Sequence, residues 1–132
     1  MRIYLTHCSA KKDPRYRISG QLATPAQLYT ATPTQRFMKV CQRYAVNWAI
    51  FSDRYGVWFP DVARAWYEKH PKHVSDEEFA ILLEGFDRDL APYEEIWFYH
   101  NPGRFHSVYQ HLLEETRLRE RVRKFTHLHE IR

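Results

Sequence analysis

Glycine is scarce in this chain of 132 residues, with four in all and none in a G-x-G-x-x-G or Walker-type arrangement. Loops that wrap backbone around phosphate need glycine at fixed places, so a P-loop triphosphatase or a Rossmann dehydrogenase is disfavoured. Cysteine is scarcer still: only Cys8 and Cys41 are present, and neither C-x-x-C nor H-E-x-x-H occurs. Two thiols make no disulfide framework, and the eight scattered histidines show no ligand spacing, so no metal and no cofactor is expected. Long apolar runs, internal repeats and low-complexity tracts are also lacking. The opening run turns polar at Thr6, too early for a secretory or membrane-spanning segment. The expectation is a cytoplasmic protein with both thiols reduced and no membrane partner.

What the chain has in quantity is aromatic surface, 16% of residues, on a 44% hydrophobic background. Its formal charge is +4, with a pI of about 9.1. Such a surface suits polyanions weakly and a solvated basic exterior equally well. The length fits one domain, residues 1–132, with no room for a second core.

Apolar periodicity then orders the elements. A first strand is expected over Arg2–His7, where Ile3 and Leu5 alternate with Tyr4. A short helical turn follows, and then a helix opened by Thr32-Pro33-Thr34-Gln35, a cap with proline at the first helical position. Phe37, Val40, Cys41 and Tyr44 continue it at helical spacing, which assigns Cys41 to the core. Trp48–Phe51 reads as a second strand. Residues 55–74 read as irregular, with one helical turn near Ala63–Tyr67. Ser75-Asp76-Glu77-Glu78 is a capping box, and behind it Phe79, Leu82, Leu83, Phe86 and Leu90 form a stripe that Pro92 ends. "EEIWFYH" is a third strand, apolar on both faces as a central parallel strand requires. Asn101-Pro102 caps a helix carrying Phe105, Val108, Tyr109 and Leu112, and Arg123–Leu128 supplies a fourth strand.

The order β-α-β-(loop)-α-β-α-β predicts an α/β, three-layer αβα domain with a mainly parallel, Rossmann-like sheet of about four strands. In such sheets ligands bind outside the C-terminal strand ends. Polar clusters recur at those ends. Strand one ends in His7-Cys8-Ser9 with Lys11 and Lys12, strand two in Ser52-Asp53 with Tyr55. Strand three ends in His100-Asn101 with Arg104, and strand four in Thr126-His127. Lys11, Lys12 and Arg104 are candidate phosphate ligands, with Ser9, Ser52 and Asn101 as further ligand contacts. Tyr29 or Tyr55 would stack on a base. Asp53 and His100 are candidate acid/base groups, and Cys8 a candidate nucleophile. Each has a structural alternative: a solvated loop for the lysines, a buried small residue for Cys8, an Asx turn for Asp53, a helix cap for Asn101. Trp58, Phe59, Trp66 and Tyr67 form either a lid or part of the core.

Four motifs together, "HCSAKKD", "PAQLYT", "WAIFSDRYGVWFP" and "IWFYHNPGRFHSVY", resemble an uncharacterised family of small bacterial and archaeal α/β proteins. Its members share a Cys-Ser-x-Lys-Lys start, a Leu-Tyr-Thr segment and a Ser-x-x-Tyr-Gly element. A second similarity, through the Cys-Ser start and polar loop, is to the accessory domain of archaeosine synthase, a tRNA-modifying enzyme. That likeness implies a uracil-DNA-glycosylase-like fold, and "HNPGRFH" resembles the His-Pro-Ser loop of glycosylases. The Gly-x-Asp-Pro-Tyr loop that activates water in those enzymes is missing, so glycosylase activity is not implied. The leading expectation is a nucleotide- or nucleobase-binding site at the strand ends, acting in nucleic-acid base modification. The alternatives are a noncatalytic nucleic-acid or protein-binding module and a Cys8-dependent enzyme.

Overall fold

A computed structural model describes residues 1–132, apart from the side chain of Pro102. Five strands form one sheet: β1 (Arg2–His7), β2 (Asn47–Ser52), β3 (Gly56–Trp58), β4 (Glu95–Tyr99) and β5 (Val122–Phe125). Five helices accompany them: α1 (Arg15–Ser19), α2 (Pro25–Leu28), α3 (Thr32–Arg43), α4 (Asp76–Leu90) and α5 (Ser107–Glu115). The strand order is β3-β2-β1-β4-β5. All pairings are parallel except β2 with β3. No helix among the described residues is long and apolar enough to cross a membrane.

The interior strands β1 and β4 carry buried apolar side chains on both pleat faces. Ile3, Tyr4 and Leu5 of β1 and Ile96, Trp97 and Phe98 of β4 are all buried. Phe37 of α3 meets Trp48 edge-on and stacks on Tyr99 at 5.9 Å. Phe51, three residues beyond Trp48 and so on the other pleat face, is met by Phe86 of α4 and Tyr109 of α5. Each such fully buried side chain stabilises the fold by roughly 1.5–3 kcal/mol of apolar transfer. The capping box forms as read: Glu78 N donates to Ser75 Oγ at 3.1 Å, and Ser75 N to Glu78 Oε1 at 3.0 Å. Cys41 is fully buried on α3, and both cysteines are free.

Four expectations need correction. The sheet has five strands, because β3 folds back on β2 through the turn Ser52–Gly56, where Gly56 takes φ +76°. No helical turn forms at Ala63–Tyr67. Instead Arg64 and Ala23 exchange two 2.9 Å backbone hydrogen bonds, which hold that segment extended. The last strand is shorter, Val122–Phe125, and a 3-10 turn at Leu128–Glu130 replaces its far end. Asn101 caps only a 3-10 turn, Pro102–Arg104, by accepting from Gly103 N; His106 caps α5 by accepting from Val108 N.

The strand order has a functional corollary. From β1 the chain moves outward to β2 and β3, then crosses back to place β4 on the other side of β1. The connections therefore diverge at the C-terminal ends of β1 and β4, where open sheets of this kind leave a crevice.

Candidate functional site

Past His7 the chain leaves the sheet but keeps one more ladder bond, Cys8 N to Phe51 O at 2.9 Å. That bond holds the Cys8 thiol against the end of β2. Its Sγ donates to Asp53 Oδ1 at 3.5 Å and accepts from Asp53 N at 3.4 Å. The Tyr109 hydroxyl from α5 lies 3.3 Å away. Cys8 is 8% exposed and Asp53 only 3%. Burial, reinforced by the neighbouring carboxylate, pushes the Cys8 thiol up to about 11. Burial also raises Asp53 above the usual carboxylate range, opposed by hydrogen bonding from Cys8 and by the Lys12 and Lys69 charges.

This thiol–carboxyl–phenol group forms part of the wall of a cavity of about 360 Å³ at the strand ends. Lys12 enters it because an isolated bridge pairs its backbone with Tyr29. Its ammonium lies 4.4 Å from the Tyr67 ring centre, a cation–π arrangement. Burial lowers the Lys12 pKa. Lys69, His70 and His106 complete the wall with Arg104 and the His7 ring. Lys69 is neutralised by Glu78, whose carboxyl that partner holds down at about 2. The Arg104 guanidinium is exposed and has no ion pair among the described residues.

The three histidines of the wall differ in tautomer. His70 Nδ1 accepts from Lys72 N and His106 Nδ1 from Val108 N, both at 3.1 Å, so in the neutral rings Nε2 carries the proton. His7 is the reverse. Its Nδ1 lies 2.9 Å from the Cys8 carbonyl oxygen, which can only accept, so Nδ1 carries the proton and Nε2 the lone pair. The His7 ring stacks on Tyr109 at 5.2 Å, and burial lowers its pKa, which favours the neutral form.

A second cavity, of about 130 Å³, opens on the α3 side of the same edge and shares His7, Ser9 and Arg104 with the first. Ala31, Pro33 and Tyr99 give it apolar walls, and Thr6, Thr34 and Asn101 add polar ones. Thr6 Oγ1 is spent on Tyr99 O, and Thr34 Oγ1 donates to Ser9 Oγ.

Of the residues singled out from sequence, Cys8, Ser9, Lys12, Asp53 and Arg104 thus come together, with Asn101 in the adjoining lobe. Others do not join them. His100 lies in a shallow groove with Gln110, His111 and Lys124, its ring 4.8 Å from Phe105. Its Nδ1 is buried and has no hydrogen-bond partner among the described residues. Lys11 is exposed and outside both cavities. Tyr29 is fully buried and cannot stack on a ligand; its hydroxyl bonds that of Tyr67. Ser52 is also fully buried, donating to Tyr67 and accepting from Arg54 N and Tyr55 N, a turn-forming role. Tyr55 donates to Ala65 O and packs edge-on against Trp58 and Tyr67. The aromatics of 55–74 are divided: Trp58 is core, whereas Tyr67 is a wall of the cavity.

Sequence reasoning names His7 in the strand-one cluster without giving it a role, and misses Lys69, His70, His106 and Tyr109. Tyr109 reads as one more member of a core stripe and is also that, being 2% exposed. The basic run "EKHPKH" was the available signal for Lys69 and His70. Among the described residues no three His, Cys, Asp or Glu side chains are placed to hold a metal ion. Comparison with protein-family models, with curated proteins and with solved structures gives no match to this chain.

Proposed function

We propose that the strand-end cavity binds a nucleotide or nucleobase, and that the protein acts in nucleic-acid base modification, in line with the family it resembles. The finer fold belongs to the same proposal: helices on both faces of the sheet in three layers, Rossmann-like or uracil-DNA-glycosylase-like. The observation that carries the reading is the composition of the cavity wall. A buried carboxyl sits beneath a rim rich in donors: the Lys12 ammonium, which gives one N–H to Ala10 O at 3.4 Å and keeps two, the Arg104 guanidinium, and Nε2–H of His70 and His106. Such a rim suits a phosphate, and charge-assisted bonds to it are the strong kind. Asp53 below it can accept a proton or a hydrogen bond from the group that the phosphate anchors.

The Cys8-dependent alternative has less support. A nucleophilic thiol needs a lowered pKa, and burial next to Asp53 drives Cys8 the other way, to about 11. The binding-module alternative keeps only part of its stacking platform: Trp58 and Tyr67 are buried, whereas Phe59 and Trp66 are half-buried.

Calorimetric titration with nucleoside 5′-monophosphates tests the proposal. Lys12→Ala and Arg104→Ala should each weaken binding about tenfold or more, because a charge-assisted bond is worth roughly 1.5–3 kcal/mol. Arg104, being exposed, should change stability by no more than about 0.5 kcal/mol. Absence of binding by every monophosphate, or normal binding by both variants, would overturn it.

A further inference from the structure

The formal charge of +4 conceals an uneven distribution along the chain. No Asp or Glu occurs between Asp13 and Asp53, and that stretch carries Arg15, Arg17, Arg36, Lys39 and Arg43. Arg15 and Arg17 are paired with Asp13 and Glu68. The other three lie on α3 and have no ion pair among the described residues. We propose that the outer face of α3 holds the sugar–phosphate backbone of a single-stranded nucleic acid whose target base enters the strand-end cavity. The inference rests on the nucleic-acid reading above for the class of partner, and adds the surface that carries the polymer.

Helix periodicity is the first argument. Thr32, Arg36, Lys39 and Arg43 recur at i, i+4, i+7 and i+11, so they share one stripe of α3. All four are exposed. Thr34, Phe37, Met38 and Cys41 occupy the opposite side and are buried, with Phe37 against Trp48 and Tyr99. At 1.5 Å per residue the cations span about 10 Å, a length that successive phosphates of one strand cover.

Segregation of charge is the second. Helix α4, which meets the other pleat face through Phe86, carries six carboxylates against the single cation Arg88. A polyanion is thus attracted to one helix and repelled by the other, which fixes the side from which it approaches.

Where the stripe begins and ends is the third. Ala31 and Pro33, the neighbours of Thr32, line the small cavity, and Arg104 lines both cavities. A strand along α3 therefore runs to the rim of the site, where a base has to leave its stack to enter. At the far end the Tyr44 ring is 51% exposed, 5.7 Å from the Arg43 guanidinium. An aromatic ring left in solvent beside cations is a platform on which a base can stack.

Fluorescence anisotropy with labelled DNA and RNA single strands of about twelve nucleotides, within the site size of such modules, is the test. Wild type should bind at least one of them, with Kd rising steeply with salt. Arg36→Gln/Lys39→Gln/Arg43→Gln should bind at least about tenfold more weakly. Its slope of log Kd against log salt should be shallower by about 2, as loss of three phosphate contacts on a single strand predicts. The same variant should bind a nucleoside 5′-monophosphate as wild type does, since none of the three residues lines either cavity. Arg88→Gln/Arg117→Gln/Arg119→Gln removes equal charge from exposed positions around the α4–α5 groove. It should stay within about twofold of wild type, because distant exposed charges are screened. Tyr44→Ala should weaken binding about fivefold or more with the slope unchanged, because stacking releases no counterion. An α3 variant no weaker than the α4–α5 one, or with an unchanged slope, would overturn the inference. So would failure of wild type to bind either strand. A duplex bound as tightly as its single strand, or normal binding by Tyr44→Ala, would overturn the single-strand assignment. Binding of the strands without binding of any monophosphate would instead remove the cavity reading above and leave this surface standing.

Discussion

Asp53→Asn separates what the buried carboxyl costs the fold from what it gives the site. Asp53 is 3% exposed, and its desolvated carboxyl is held above the ordinary range. The folded protein therefore binds this proton more tightly than the unfolded chain, whose value is about 3.9. Between that value and the raised one the native state carries more protons, so stability falls as pH rises, and above the window the full penalty persists. Asparagine keeps an oxygen to accept from Cys8 and has no charge to desolvate. At pH 7 the variant should be more stable than wild type by about 0.5–2 kcal/mol, the usual gain from relieving a functional site. For a chain of this size that corresponds to roughly 3–5 °C in Tm per kcal/mol. Urea unfolding from pH 4 to 8 reads both the offset and the slope, which the variant should lack. The same variant should lose turnover, or binding of any ligand that donates to the carboxyl. A variant less stable than wild type at pH 7, with its pH slope intact, would refute the reasoning. Asp53 would then be a carboxylate stabilised by Lys12 and Lys69 rather than a strained one.

Two further outcomes follow from the geometry. Cys8 should react with iodoacetamide in the folded protein far more slowly than in urea, with a rate that climbs as pH approaches about 11; rapid alkylation at pH 7 would restore the nucleophile alternative. Gly56→Ala should cost roughly 1–2 kcal/mol, because φ +76° is strained for any residue with a Cβ although Leu82, at 3.7 Å, leaves room for one; a neutral change would mean that the β2–β3 turn relaxes freely.

The elements that were legible in sequence are those whose signal is local and repeated. β1 and β4 show it in side chains buried on both faces, and α4 in a capping box ahead of a five-member stripe. β3 was not legible, because three residues carry no period and its pairing is created by the turn at Gly56. The same distinction governs the site. Cys8 and Asp53 sit at strand ends, where topology alone brings neighbouring strands together. Whether His100 or His106 reaches the cavity depends on where α5 begins, and the 3-10 turn at Pro102–Arg104 delays that start and brings His106 round instead. Tyr29 and Ser52 carry hydroxyls suited to a ligand. They spend them on each other's neighbourhood through Tyr67, a long-range contact that no spacing reveals.

The central claim is that the ligand site lies at the ends of β1 and β2 beneath the start of α5. Amide and imidazole chemical shifts recorded during titration with a nucleoside 5′-monophosphate test it most directly. The account expects saturable shifts at His7, Cys8, Lys12, Asp53, Arg104 and His106, with His111 and the α4–α5 groove around Leu83 and Leu118 unmoved. Shifts confined to that groove or to the His100–Lys124 surface, with the strand ends silent, would contradict it.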